Sequence, residues 1–260
     1  MIYRHVQYAA NRADLIKHLA LLCLEQGSST LRVWDAFAAM PCYPLHDLDE
    51  DRRQLLFSLM GRRGPRSLSS WQRAVAECHD PQGQPAYPGS GWLLSRLPSV
   101  EAILLSDQDE ACVRALEHWF KSDGHIHVHQ MDSFQEDRVW LSFQPQLVLI
   151  DPPFLSQEEW SGVQGLLTKI RRNCTKSASI LWYPLRNDLT PPRDLSCPGD
   201  SSLLVDFEPS RGMNGCVLHF SGLEDSCLDE LKSLCDWLSQ VDELRIANVQ
   251  LLEFSHASSV

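Results

Sequence analysis

The sequence predicts an α/β domain on a mostly parallel, seven-stranded sheet, and three observations carry that prediction. From about residue 100 onward, short strand-like runs alternate with helical ones, which implies βαβ units and parallel pairing. Leu147-Val148-Leu149-Ile150 is apolar throughout, as a central strand buried on both faces requires. Leu203–Phe207 and Gly215–Phe220 follow one another with no helix between, joined through Gly212 and Gly215, which predicts an antiparallel edge.

Taken in order, Asn11 or Asp14 can cap a helix running to about Gln26, with Leu15, Leu19, Ala20 and Leu22 as its apolar stripe. Leu31–Trp34 reads as a short strand ending at Asp35. Residues 47 to 79 read as helical, broken by Gly61, Gly64 and Pro65. A loop through Pro81, Gly83 and Pro85 then leads to Tyr87-Pro88-Gly89-Ser90. Strands are expected at Val100–Leu105, His125–His129, Leu147–Ile150 and Ala178–Tyr183. Helices are expected at Glu110–Phe120, after Asp132, at Glu158–Arg171 and at Asp225–Leu238. This order matches the class I, Rossmann-like methyltransferase sheet better than an ordinary dinucleotide-binding fold.

Composition bounds the rest. With 260 residues the chain can bury one full core, and 43% hydrophobic with 22% charged residues is ordinary for a globular protein. No run approaches the roughly 18 apolar residues that span a bilayer. Met1 to Arg12 lacks the apolar stretch of a signal peptide, so a cytoplasmic location is expected. Nine cysteines without a C-x-x-C pair suggest neither a disulfide framework nor a zinc knuckle, and Cys227 and Cys235 read as small core residues. His125, His127 and His129 share one strand face, for which an edge or solvated surface is the simpler account, and no metal is expected. A net charge of -11 opposes phosphate binding, yet six arginines (Arg52, Arg53, Arg62, Arg63, Arg66 and Arg73) fall between positions 52 and 76 with no acid. They fit either a local contact to nucleic acid or a solvated helix face balanced by Asp47–Asp51.

Ligands of an open parallel sheet bind at the carboxyl ends of its strands. Those ends carry Asp35, Asp107, Asp132 and Asp151 in succession. Asp107 can accept hydrogen bonds from the ribose hydroxyls of a nucleoside cofactor, and Asp132 with Ser133 can meet its adenine. The first turn, Asp35 to Pro41, has no glycine. Asp151-Pro152-Pro153-Phe154 is the most specific signal. An exocyclic amine is a poor nucleophile because its lone pair is delocalised. The Asp151 carboxylate can accept one N–H and stabilise charge developing on nitrogen, and the Pro152 carbonyl can accept the other. Two prolines stiffen the loop, and Phe154 is expected to offer a stacking face to an extruded base.

Several segments together resemble the bacterial 23S ribosomal RNA adenine-N6 methyltransferase family of the RlmJ type. They are Tyr3-Arg4-His5 with Asn11, Asp14 and Lys17-His18; Tyr87-Pro88-Gly89-Ser90; Asp132-Ser133-Phe134-Gln135; the Asp-Pro-Pro-aromatic motif; Leu181-Trp182-Tyr183-Pro184; and Arg211-Gly212-Met213. The resemblance spans nearly the whole chain. It implies one methyltransferase domain over residues 1–260 with a helical subdomain inserted at about 44–86, and S-adenosyl-L-methionine as cofactor. It makes Asp151 the catalytic acceptor. His18, Phe37, Ser90, Asp107, Asp132, Ser133 and Asp151 then line the cofactor site, with Tyr3, His5, Pro152 and Phe154 on the substrate side. The implied partner is 23S ribosomal RNA, partly unassembled or single-stranded, met by a monomer without any membrane. Phe37 stands where the family has a cofactor-contacting His, Phe154 replaces Tyr, and Ser133 replaces Gly. On the residues alone, a non-catalytic RNA-binding relative with an impaired cofactor site and a DNA adenine-N6 methyltransferase stay open as alternatives.

Overall fold

The computed structural model describes residues 7–27, 29–192, 195, 199–208 and 213–254. Helix α1 (Arg12–Leu22) leads into β1 (Leu31–Asp35). A two-stranded sheet of β2 (Cys42–Pro44) and β3 (Ala86–Pro88) brackets α2 (Glu50–Met60) and α3 (Arg66–Glu77). After α4 (Ser90–Ser95) the alternation runs β4 (Val100–Asp107), α5 (Glu110–Phe120), β5 (Ile126–Gln130), α6 (Arg138–Phe143), β6 (Leu147–Ile150), α7 (Glu159–Asn173) and β7 (Ala178–Leu185). The chain ends in β8 (Ser201–Phe207), β9 (Gly215–Ser221), α8 (Asp225–Leu238) and β10 (Ile246–Glu253).

The main sheet has the order β10-β8-β9-β7-β6-β1-β4-β5. Pairings β7-β6-β1-β4-β5 are all parallel, and β9 joins β7 antiparallel, as do β8 to β9 and β10 to β8. The sheet therefore has eight strands rather than the seven expected. The extra strand, β10, pairs with β8 along its length, but its residues are only half-buried or exposed, so no clean two-residue alternation marks it in the sequence. At the opposite edge, β5 leaves His127 and His129 exposed.

Burial on both faces explains the near-continuous apolar strands. Val33, Leu105 and Leu149 face the core shared with α1, α4 and α8. Trp34, Leu104, Val148 and Ile150 face α6 and α7, where Trp34 and Trp140 stack at 5.1 Å between ring centroids. Helix α1 starts where Asn11 accepts the Asp14 amide at 2.9 Å, and Asp14 reaches back to the Ala10 amide at 2.9 Å. No helix among the described residues is long and apolar enough to cross a membrane.

The arginine-rich helices are not a bare cationic stripe. Arg52 pairs with Asp49 at 2.9 Å, Arg53 with Glu50 at 2.8 Å, and Arg62 with Glu243. Arg66 donates to the Gln26 side chain at 2.8 Å. Of the two readings of these arginines, the balanced helix face is the one these pairs favour, because nearby carboxylates already spend much of the charge.

Candidate active site

At the carboxyl edge of the parallel strands lies a cavity of about 490 Å³. Strand ends place its carboxylates: Asp107 closes β4, Asp151 follows β6, and Asp132 lies two residues past β5. Asp35 closes β1 but is fully buried behind the wall, where Ser90 donates to it at 2.6 Å.

One end is shaped by backbone turns. The Asp107 carboxylate accepts the Ala39 amide at 2.9 Å and the Asp109 amide at 2.8 Å. Asp132 accepts the Phe134 amide at 3.0 Å, and Ser133 donates to the Ala36 carbonyl at 2.6 Å. The rings of Phe37 and Phe134 pack at 5.1 Å on the same wall. The turn after β1 is built without glycine by placing Ala39 at φ 54, a left-handed conformation that costs an L residue about 1–2 kcal/mol. Ala39→Gly should remove that strain and, after the added freedom of the unfolded chain, stabilise the protein by about 0.5–1 kcal/mol, read as a higher urea midpoint. Gly89 serves the same turn from outside: a Cβ there would meet the Met40 carbonyl oxygen at 2.2 Å, so the Tyr87–Ser90 segment can approach only with glycine.

The other end holds Asp151 and Pro152 beside α1. Lys17 Nζ donates to Asp151 Oδ2 at 2.6 Å and pairs with Asp14 Oδ1 at 2.8 Å. Burial alone would lower the Lys17 pKa, but the two carboxylates outweigh it and hold the ammonium well above its ordinary value. Asp14 is likewise held ionised: burial opposes it, and His18 and Lys17 together overcome that penalty. In the sequence Asp14 reads as a possible helix cap and, with Lys17, as part of the N-terminal segment that carries the family resemblance, but nothing there joins either residue to Asp151. Their meeting with Asp151, 134 positions away from Lys17, depends on the fold.

Several expected site residues lie elsewhere. His18 is buried behind the wall, with Nδ1 2.6 Å from the Tyr87 hydroxyl and Nε2 3.5 Å from Asp14 Oδ1, and does not line the cavity. Ser90 also stands behind it, its hydroxyl committed to Asp35. Phe154 is the clearest correction. It is 0% exposed, packed 4.7 Å from the Trp160 ring and 6.4 Å from Trp182, so it offers no open face to a base. A left-handed φ of 47° turns its side chain inward. Tyr3 and His5 lie outside the described residues. Sequence reasoning missed Tyr8, Glu159 and Arg186, which do line the cavity.

Two buried groups behind the wall titrate in opposite senses. Burial lowers His18 to about 4, despite Asp14, and raises Asp35 to about 6, despite its bond from Ser90. As pH falls from 6.5 to 4 the unfolded chain protonates its histidine while folded His18 refuses the proton, so stability is lost. Over nearly the same window folded Asp35 takes a proton that the unfolded chain does not, so stability is gained, each effect reaching about 2–3 kcal/mol. In urea titrations Asp35→Asn should therefore gain on the parent protein as pH rises from 4 to 7, and His18→Gln should gain on it as pH falls.

The family model described as ribosomal RNA large subunit methyltransferase D, RlmJ, matches residues 59–243. The chain belongs to that family. A curated relative of the RlmJ family, the ribosomal RNA large subunit methyltransferase J of Escherichia coli strain K12, is 24% identical over 202 residues, 70% of each chain. A crystal structure of a protein from Legionella pneumophila is similar in fold, with a TM-score of 0.77 at 16% identity over 95% of this chain and 98% of that one. As an RlmJ-family member the chain is a ribosomal RNA methyltransferase, and its cofactor is S-adenosylmethionine.

Proposed function

We propose that this protein methylates the N6 amine of an adenine in 23S ribosomal RNA, with Asp151 and Pro152 as the acceptors of the amine's two N–H groups. The observation that carries the reading is the acceptor end of the cavity, where the Asp-Pro-Pro loop meets a buried cation, Lys17. The name of the Escherichia coli relative supports the large-subunit RNA.

The cavity suits S-adenosylmethionine. About 490 Å³ is within the range of small-molecule sites, and its far end combines aromatic walls with carboxylates at successive strand ends. Asp107, Asp132, Ser133 and Phe37 would hold the nucleoside part, with His18 and Ser90 shaping the wall from behind. When bound, the cofactor supplies an electrophilic methyl group on a sulfonium.

The chain's own residues do the rest. Asp151 accepts one N–H of the amine, and the Pro152 carbonyl accepts the second, so the nitrogen lone pair is turned toward the cofactor side. Lys17, fixed on Asp151 Oδ2, holds that carboxylate in place at the acceptor end. Asp151 stabilises the positive nitrogen as it develops by accepting its N–H, and once the methyl has passed from sulfur to nitrogen the surplus amine proton leaves through Asp151 to solvent. A target base in partly unassembled RNA is cheaper to extrude into such a pocket. Residues 1–260 read as one methyltransferase domain in the cytoplasm, with residues 44–86 inserted between β1 and β4.

The test is transfer of labelled methyl from S-adenosylmethionine to ribosomal RNA from a strain lacking the enzyme, followed by nucleoside analysis. Label should appear as N6-methyladenine at one position of 23S RNA, and a matched DNA oligonucleotide should stay unlabelled. Label on any other nucleoside, or preferential labelling of the DNA, overturns the reading.

A further inference from the structure

The loop that carries the acceptors, residues 151–158, cannot tether itself through Pro152 or Pro153, which have no N–H. It nevertheless holds Phe154 at φ 47, a conformation disfavoured for a bulky L residue and kept only where surroundings enforce it. Helix α7 supplies part of the enforcement, with Glu159 accepting the Leu155 amide at 2.6 Å and Trp160 packed on the Phe154 ring, and the segment that leaves β7 supplies the rest. Strands β6 and β7 are parallel neighbours, Ile150 opposite Leu181, so both chains emerge on the same edge of the sheet. There Arg186 Nη1 donates to the Phe154 carbonyl at 3.1 Å. Its other nitrogens are gripped by Asp188, with Nε to Oδ1 at 2.9 Å and Nη2 to Oδ2 at 2.5 Å. Four residues on, Thr190 and the Gln157 side chain exchange two hydrogen bonds, each 2.9 Å.

We propose that Arg186 is a positioning residue for methyl transfer. Aimed by Asp188, its guanidinium clamps the Phe154 carbonyl and so fixes the Asp151–Pro152 acceptors at the reacting amine. Arg186 also lines the cavity and is 31% exposed, which makes a direct RNA-phosphate contact the rival role for the same side chain. The clamp accounts for what the rival does not, the bond to a backbone carbonyl at a left-handed residue. The kinetic part of the inference rests on the function proposed above.

The full-length protein, Arg186→Ala and Arg186→Lys are compared by hydrogen–deuterium exchange over residues 151–160, by calorimetric affinity for S-adenosylmethionine, and by kcat and KM on ribosomal RNA. Arg186→Ala should speed exchange in this segment about 10-fold, as a released local structure does. It should lower kcat about 10- to 100-fold, the effect of an acceptor misplaced by about an ångström. KM and cofactor affinity should stay within about threefold, as expected for an interaction felt only during reaction. Arg186→Lys should recover part of both losses, since an ammonium can still donate to Phe154 but cannot keep the fork to Asp188. Arg114→Ala, which breaks a comparable ion pair with Glu110 on α5, should change nothing. A raised KM with unchanged kcat would show a phosphate contact and overturn the proposal, as would unaltered exchange. If the parent protein itself fails to methylate ribosomal RNA, the proposed function falls, while exchange alone still decides whether Arg186 clamps the loop.

Discussion

Lys17→Met should lower methyl transfer to ribosomal RNA about 100- to 1000-fold, the scale on which one preorganised electrostatic contact to a reacting centre counts. Methionine keeps the unbranched stem and removes the charge that sits 2.6 Å from Asp151 and 2.8 Å from Asp14. Without it two carboxylates share a site where Lys17 is only 11% exposed. The cheapest response is to protonate one of them, and a neutral Asp151 no longer stabilises positive charge on the amine. The same substitution should destabilise the fold by about 3 kcal/mol, since removing one partner leaves a largely buried charge uncompensated. Asp151→Asn should match the loss of transfer while keeping most of the stability, because Asn removes a charge rather than stranding one. The double variant should lose little further activity, because both changes break one unit. Equal transfer by Lys17→Met and the parent protein would reduce the ion pair to a structural fixture. Stability is read from urea midpoints, so folding and chemistry are scored separately.

Phe154→Ala should cost about 3–5 kcal/mol in stability, the cost of truncating an aromatic side chain inside a packed core. Its ring is 0% exposed and wedged against Trp160 and Trp182. Phe154→Leu, nearer in volume, should cost under about 1.5 kcal/mol. Were the ring instead an open platform for a base, truncation to Ala would leave the unfolding midpoint nearly unchanged and lower transfer alone. Equilibrium unfolding followed by tryptophan fluorescence decides, with Trp160 as a reporter beside the mutated position. In this conformation the aromatic of the motif braces the acceptor loop from inside the domain.

Much of the scaffold was legible locally. Helix α5 occupies Glu110–Phe120, as the three- and four-residue spacing of its apolar positions predicts, and the central strand β6 occupies Leu147–Ile150, as its short unbroken apolar run predicts. The Asp-Pro-Pro-Phe motif and the order of carboxylates at strand ends were equally open to reading, because strand ends are local features. β10 was not, lying half-exposed at the sheet's edge.

What the fold decided is how distant segments meet. Lys17 is one of five lysines in the chain, unlinked to Asp151 until the fold brings α1 beside the end of β6 and sets it there. Arg186 is an ordinary arginine until β7 delivers it beside Phe154. The direction in which the Phe154 ring turns follows from a left-handed backbone that no residue preference announces, since it is held there by packing and by that arginine. Composition and spacing record the energetics of neighbours along the chain. The carboxylate's charge partner and the clamp on the Phe154 carbonyl come from segments 134 and 32 positions away, which only the packed fold brings within hydrogen-bonding range.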